Sequence, residues 1–96
     1  MEDDNFCWDD NKAALNWRNH RVSFEMAREA FRDQFAVEWQ DLAQDPYEER
    51  YCMLGMVESR LLFVGYTMWG EKIRIITARK AEPYERRKYH EENREA

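Results

Sequence analysis

Apolar positions keep two different spacings along this chain. Ala13, Ala14, Leu15 and Trp17 support a short helix ending near His20, and Phe24, Ala27, Ala30 and Phe31 then recur every three or four places. That recurrence gives the second helix an apolar face. Asp9 or Asp10 can cap the first helix and Ser23 the second, with Met26 standing where a capping box would carry Glu or Gln. Glu25, Arg28, Glu29 and Arg32 fall on the polar face of the second helix, where opposite charges a turn apart can pair.

After Asp33 the pattern shortens. "FAVEW" reads as a strand, "QDLAQDPYEE" as a polar loop containing Pro46, and "RYCMLGMV", "LLFVGYTM" and "KIRIITAR" as three strands in close succession. The separators "ESR" and "WGE" have the length of hairpin loops, so these strands should pair antiparallel. "NFCW" at 5–8 is a short β segment, and "AEPYERRKYHEENREA" a closing helix with Pro83 in its first turn. The order β-α-α-β-β-β-β-α predicts an α+β domain. Two N-terminal helices and a C-terminal helix would pack on a twisted antiparallel sheet of about four strands. One domain over 1–96 is expected, with its core in 6–90.

Composition narrows the function classes. A chain of 96 residues hides roughly 60–65% of its unfolded surface, a thin core that aromatics at 15% reinforce. No apolar run approaches the roughly 18 residues of a membrane span. The start "MEDDNF" lacks a signal peptide's basic and apolar stretches, so the protein is expected in the cytoplasm. Cys7 and Cys52 lack metal-ligand spacing and read as buried thiols. The net charge of −5 is unevenly spread: residues 1–71 carry 7 basic and 15 acidic side chains, and residues 72–96 carry 8 and 5. Such an asymmetry points to an anionic partner for the C-terminal part.

In order and spacing the chain resembles the BrnT family of bacterial toxins. "FCWDDNKAALNWRNHRVSFEMAREAFRD" carries the family's Phe-x-Trp-Asp opening in Phe6, Trp8 and Asp9, its spaced Lys12, Asn16 and His20, and its Val22-Ser23-Phe24 helix start. "EER" (Glu48–Arg50), Gly55, "IRIITARKA" and "YERRKY" resemble the later strands and final helix, so the likeness runs over about 6 to 89. Two positions depart from the pattern: Arg21 stands where the family has Gly, and Thr77 where it has Ser. A Gly at 21 would serve a positive φ, so the turn after the first helix is expected to be rearranged.

The resemblance implies a ribonuclease toxin of RelE-like fold, held inactive by a BrnA-type ribbon-helix-helix antitoxin. It also implies a pair that represses its own operator, with DNA contacted only through the antitoxin. An antitoxin dimer would bring two toxins into a heterotetramer. Part of the set Val37, Trp39, Met53, Met56 and Trp69 is expected to be exposed for that partner.

RNA cleavage by the substrate's own 2′-hydroxyl needs no cofactor and no metal. The protein must orient the phosphate, steady its transition-state charge and move two protons. Arg74 and Arg79 are the catalytic arginine candidates, because a guanidinium can meet two phosphate oxygens. Strict alternation places them on opposite strand faces, so either a bulge re-aims one, or Arg79 lies just beyond the strand, or only one is catalytic. Their structural alternative is ion pairing, for Arg74 with a carboxylate such as Glu49. His20 is the proton-transfer candidate, or else a helix cap. Lys12, eight residues earlier, shares its helix face and can meet a phosphate. Arg50, Tyr66, Lys72 and Arg87 are candidates for substrate binding, Tyr66 by stacking a base or else by packing on a helix. His90 is expected to be solvated. A second possibility is an inactive homologue that binds the antitoxin and acts as transcriptional co-repressor, motivated by Arg21.

Overall fold

A computed structural model describes residues 1–42 and 49–94; Pro46, Glu48 and most of the polar loop lie outside the described residues. Eight elements appear in the expected order. They are β1 (Phe6–Cys7), α1 (Asp10–His20), α2 (Phe24–Ala30), β2 (Val37–Asp41), β3 (Arg50–Val57), β4 (Arg60–Trp69), β5 (Lys72–Lys80) and α3 (Pro83–Glu92). The sheet has five strands in the order β1-β5-β4-β3-β2. β2 to β5 form the antiparallel meander that the short separators imply. The fifth strand is the "NFCW" segment, which joins the far edge in parallel, with Phe6 opposite Ile73 and Cys7 opposite Arg74. The strand read as "FAVEW" starts two residues later, at Val37.

Local chemistry sets the element ends. The Asp9 carboxylate accepts hydrogen bonds from the N–H groups of Asn11 and Lys12, and the Ser23 hydroxyl accepts one from Met26. Arg21 closes α1 in the left-handed region, φ 56°, its N–H bonded to the Trp17 carbonyl at 2.8 Å. The residue that departs from the family's Gly therefore keeps the backbone shape a Gly would supply. The turn is retained, and the guanidinium settles 5.6 Å above the Trp17 ring. Glu58 and Ser59, with φ of 48° and 72°, make the tight β3–β4 loop.

Helices cover both sheet faces. α1 and α2 bring Val22, Phe24, Ala27 and Ala30 onto Met53, Leu62, Val64, Tyr66 and Ile75. Gly55 permits this approach, since a Cβ there would stand 2.5 Å from the Ala30 carbonyl oxygen. On the other face Tyr89 of α3 packs with Val37, Leu54, Leu61 and Ala81. Val37 and Met53 are thus core, Trp39 and Met56 are partly buried, and Trp69 is 59% exposed. Cys7 and Cys52 are buried free thiols. Among the described residues no helix is long and apolar enough to cross a membrane.

Candidate active site

One polar residue in α1 fixes the site's outer wall. β1 pairs with β5 only at Ile73 and Arg74, and farther along this edge the side chain of Asn16 takes the place of a neighbouring strand. Its Nδ2 donates to the carbonyls of Ala78 and Val22, both at 2.8 Å. Its Oδ1 accepts from the Ala78 N–H at 3.1 Å and the Thr77 hydroxyl at 3.3 Å. A sheet edge that would expose unpaired backbone is closed this way. Lys12 and His20 lie four residues before and after Asn16, so all three share one helix face. They line a cleft of about 370 Å³ together with Asn19, Arg50 and Thr77.

An inner cavity of about 230 Å³ continues from this cleft, sharing Arg50, Ile76 and Thr77 with it. Asp41, Cys52, Phe63 and Gly65 are among its walls. Burial pushes the Cys52 thiol upward, helped by the nearby Asp41 charge, so this thiol is held protonated.

A bulge answers the alternation problem for the two arginines. Gly65 pairs with Thr77 but Tyr66 pairs with Ile75, leaving Ile76 as an extra residue in β5. Ile75 and Ala78 consequently both point into the core beneath α1 and α2, although three positions separate them. Arg74 and Arg79 both emerge on the opposite face. Arg74 is opposite Thr67 and lies over the Trp69 ring at 4.7 Å, and Arg79 is opposite Phe63 and lies over its ring at 4.1 Å. Glu49 is not the partner of Arg74; it accepts a hydrogen bond from the Tyr51 hydroxyl.

Arg79 is tightly held. Its Nη1 and Nη2 donate to the two carboxylate oxygens of Glu85 at 2.8 and 3.0 Å. The Glu85 carboxylate keeps this guanidinium protonated more firmly than usual. Burial alone would raise the Glu85 carboxyl, but the bonds from Arg79 and from the Glu82 N–H outweigh it and leave it below its ordinary range.

Of the other candidates, Tyr66 borders the inner cavity and Lys72 and Arg87 lie apart from it. Tyr66 is buried, its ring stacked on Tyr51 and met edge-on by Phe31, its hydroxyl on Glu38. The ring is packed, not presented to a base. Burial first, and the Glu38 charge second, push its phenol far upward. Lys72 is ion-paired with Glu2 at the β1 edge. Arg87 is exposed on α3, and neither it nor Lys72 is among the residues lining the cleft. His90 is exposed. Asn19 and Glu85 were not among the expected site residues, and Thr77 was noted only as standing where the family has Ser. An Asn in mid-helix at the four-residue interval between Lys12 and His20 was the signal for the shared face.

The fold and site define a class: a small α+β domain whose sheet and first helix enclose a cleft set with Lys, His and Arg. Residues 8–85 match the family described as Ribonuclease toxin, BrnT, of type II toxin-antitoxin system, and the chain belongs to that family. The match takes in Lys12, His20, Arg50, Arg74 and Arg79 and stops before Arg87. No curated protein matches the chain significantly. Membership makes this a ribonuclease toxin whose natural partner is a protein antitoxin.

Proposed function

We propose that the α1–β5 cleft cuts RNA without a metal, by attack of the 2′-hydroxyl on the adjacent phosphorus, and that this halts translation in the bacterial cytoplasm. The observation that carries the reading is the meeting of Lys12, His20 and Arg50, from α1 and β3, around one cavity in a chain of this family. Along α1 the backbones of Lys12 and His20 stand about 12 Å apart, room for a phosphodiester between them. His20 takes the proton of the 2′-hydroxyl as the O2′–phosphorus bond forms. The phosphorus–O5′ bond breaks, the leaving oxygen takes up a proton, and a 2′,3′-cyclic phosphate remains. Arg50 and Lys12 hold the phosphate oxygens. Arg74 adds positive potential from the same sheet face without lining the cleft, and the charge of Arg79 is offset by Glu85.

A BrnA-type ribbon-helix-helix antitoxin neutralises this activity and carries the pair to operator DNA, two toxins joining one antitoxin dimer in a two-fold heterotetramer. Induced alone in bacteria, the chain should stop growth, and His20→Ala should restore it at equal protein level. Unimpeded growth with abundant folded wild-type chain contradicts the reading. One observation favours a non-catalytic co-repressor instead: both terminal nitrogens of Arg79 are engaged by Glu85. Growth arrest that depends on His20 excludes it.

A further inference from the structure

The end of the β4–β5 hairpin carries a second feature on the site's sheet face. Trp69, the last residue of β4, is 59% exposed. The Arg74 guanidinium lies 4.7 Å from the centre of its ring. Register explains the contact: Trp69 faces Lys72 and Thr67 faces Arg74, so indole and guanidinium are diagonal neighbours on one face. Phe63, Gly65, Thr67 and Trp69 alternate onto that same face, and the first two wall the inner cavity. Among the described residues no carboxylate is in ion-pair contact with Arg74, whereas Arg79, Lys72 and Arg28 each have one.

We propose that Trp69 and Arg74 form a stacking platform for an unpaired RNA base near the bond held in the cleft. The proposal rests on the reading of that cleft as an RNA site. An indole face takes any base, and a planar guanidinium extends the surface while adding positive charge. Trp69 lies on the order of 13 Å along β4 from Gly65, a distance that a short stretch of extended single strand covers. The C-terminal segment that begins here is the positively charged part of the chain, which suits RNA over an acidic surface. Bases inside a duplex are already stacked and cannot reach the ring, so the platform confers a preference for single strands.

The test measures binding of uncleavable 2′-O-methyl oligoribonucleotides to the full chain, a dinucleotide and a dodecamer, by fluorescence anisotropy. Trp69→Ala should weaken dodecamer binding roughly 5- to 150-fold, the span of stacking worth ~1–3 kcal/mol. It should leave the dinucleotide unaffected, Trp69→Phe should keep most of the affinity, and Arg74→Gln should lose part. The exposed position makes a folding defect from these changes unexpected, and circular dichroism checks it. Wild-type binding of the dodecamer retained in Trp69→Ala overturns the proposal, as does a wild-type chain that fails to bind the dodecamer. A Trp69→Ala chain that loses only antitoxin affinity overturns it too, and assigns the patch to the protein partner. Cleavage of the all-ribose dodecamer is read separately: binding without cleavage refutes the catalytic reading and leaves the platform standing.

Discussion

Arg79 and Glu85 meet as a two-point ion pair, Nη1 to Oε1 and Nη2 to Oε2, between the end of strand β5 and the first turn of α3. Glu85 is 2% exposed, and its Oε1 also accepts the Glu82 N–H that begins the helix. One carboxylate therefore fixes both the direction of an arginine and the start of α3. The pair closes Arg79's fork and offsets its charge, and Arg79 lines neither the cleft nor the inner cavity.

Glu85→Gln should lower stability by ~1–3 kcal/mol in urea unfolding, because it weakens charge-assisted bonds in a partly buried place. The acid side of the stability curve should change as well. The Glu85 carboxyl sits below its ordinary 4.5 in the folded chain. Its contribution is therefore present above that value and lost as pH falls through the folded one. The Gln variant should show a shallower acid limb, and an unchanged limb would contradict this account of the pair.

Asp33 joins three parts of the fold. Its carboxylate accepts from the Met56 N–H, the Phe35 N–H and the Tyr89 hydroxyl, the last at 2.6 Å. Burial and this bond push the Tyr89 phenol up to about 12 from 10.0. A phenol raised on folding stabilises fully below pH 10, and that contribution fades as pH climbs from 10 through 12. Tyr89→Phe should cost ~1.5–3 kcal/mol at neutral pH and flatten the alkaline fall in stability over that window. Thermal melts at stepped pH would show it.

Arg21 holds a left-handed conformation that costs a side-chain-bearing residue ~1–2 kcal/mol. Arg21→Gly relieves this, and the freer unfolded chain offsets under ~1 kcal/mol of the gain. The expected outcome is a net stabilisation of ~0.5–1 kcal/mol with His20 left in place. A destabilised glycine variant would mean that the Arg21–Trp17 contact contributes more than the backbone strain costs.

Much of the fold was legible because period and turn length are local. The short apolar run "LLFVGYTM", the three-residue separators and Pro83 each report on their own neighbourhood, and the element order followed from them. The bulge at Ile76 did not, because it exists only in the register between β4 and β5. Without it Arg74 and Arg79 look opposed; with it they share a face. Packing of Tyr66 was one of its two readings, but its partners Phe31 and Tyr51 come from other elements and were not legible. Lys12 and His20 were readable as one helix face, but only Asn16's bonds to Ala78 show which way that face turns.

Asn16 makes that dependence measurable. Asn16→Asp keeps the shape but removes both donations, to Val22 and Ala78, and sets a negative charge against their carbonyls. It should cost ~1–3 kcal/mol and lower turnover on RNA more than substrate affinity, since α1 carries Lys12 and His20. Turnover equal to wild type in a folded Asn16→Asp chain would show that α1's placement does not matter to the chemistry.

The most direct measurement is cleavage of a single-stranded RNA by the purified, antitoxin-free chain in excess chelator, with the product ends identified by mass spectrometry. The cleft described here predicts cleavage that survives the chelator and leaves 2′,3′-cyclic phosphate ends. It also predicts a rate that falls about 100-fold or more in His20→Ala, with the folded state intact. Cleavage that stops with chelator, 3′-hydroxyl products, or a His20→Ala chain as fast as wild type would contradict it.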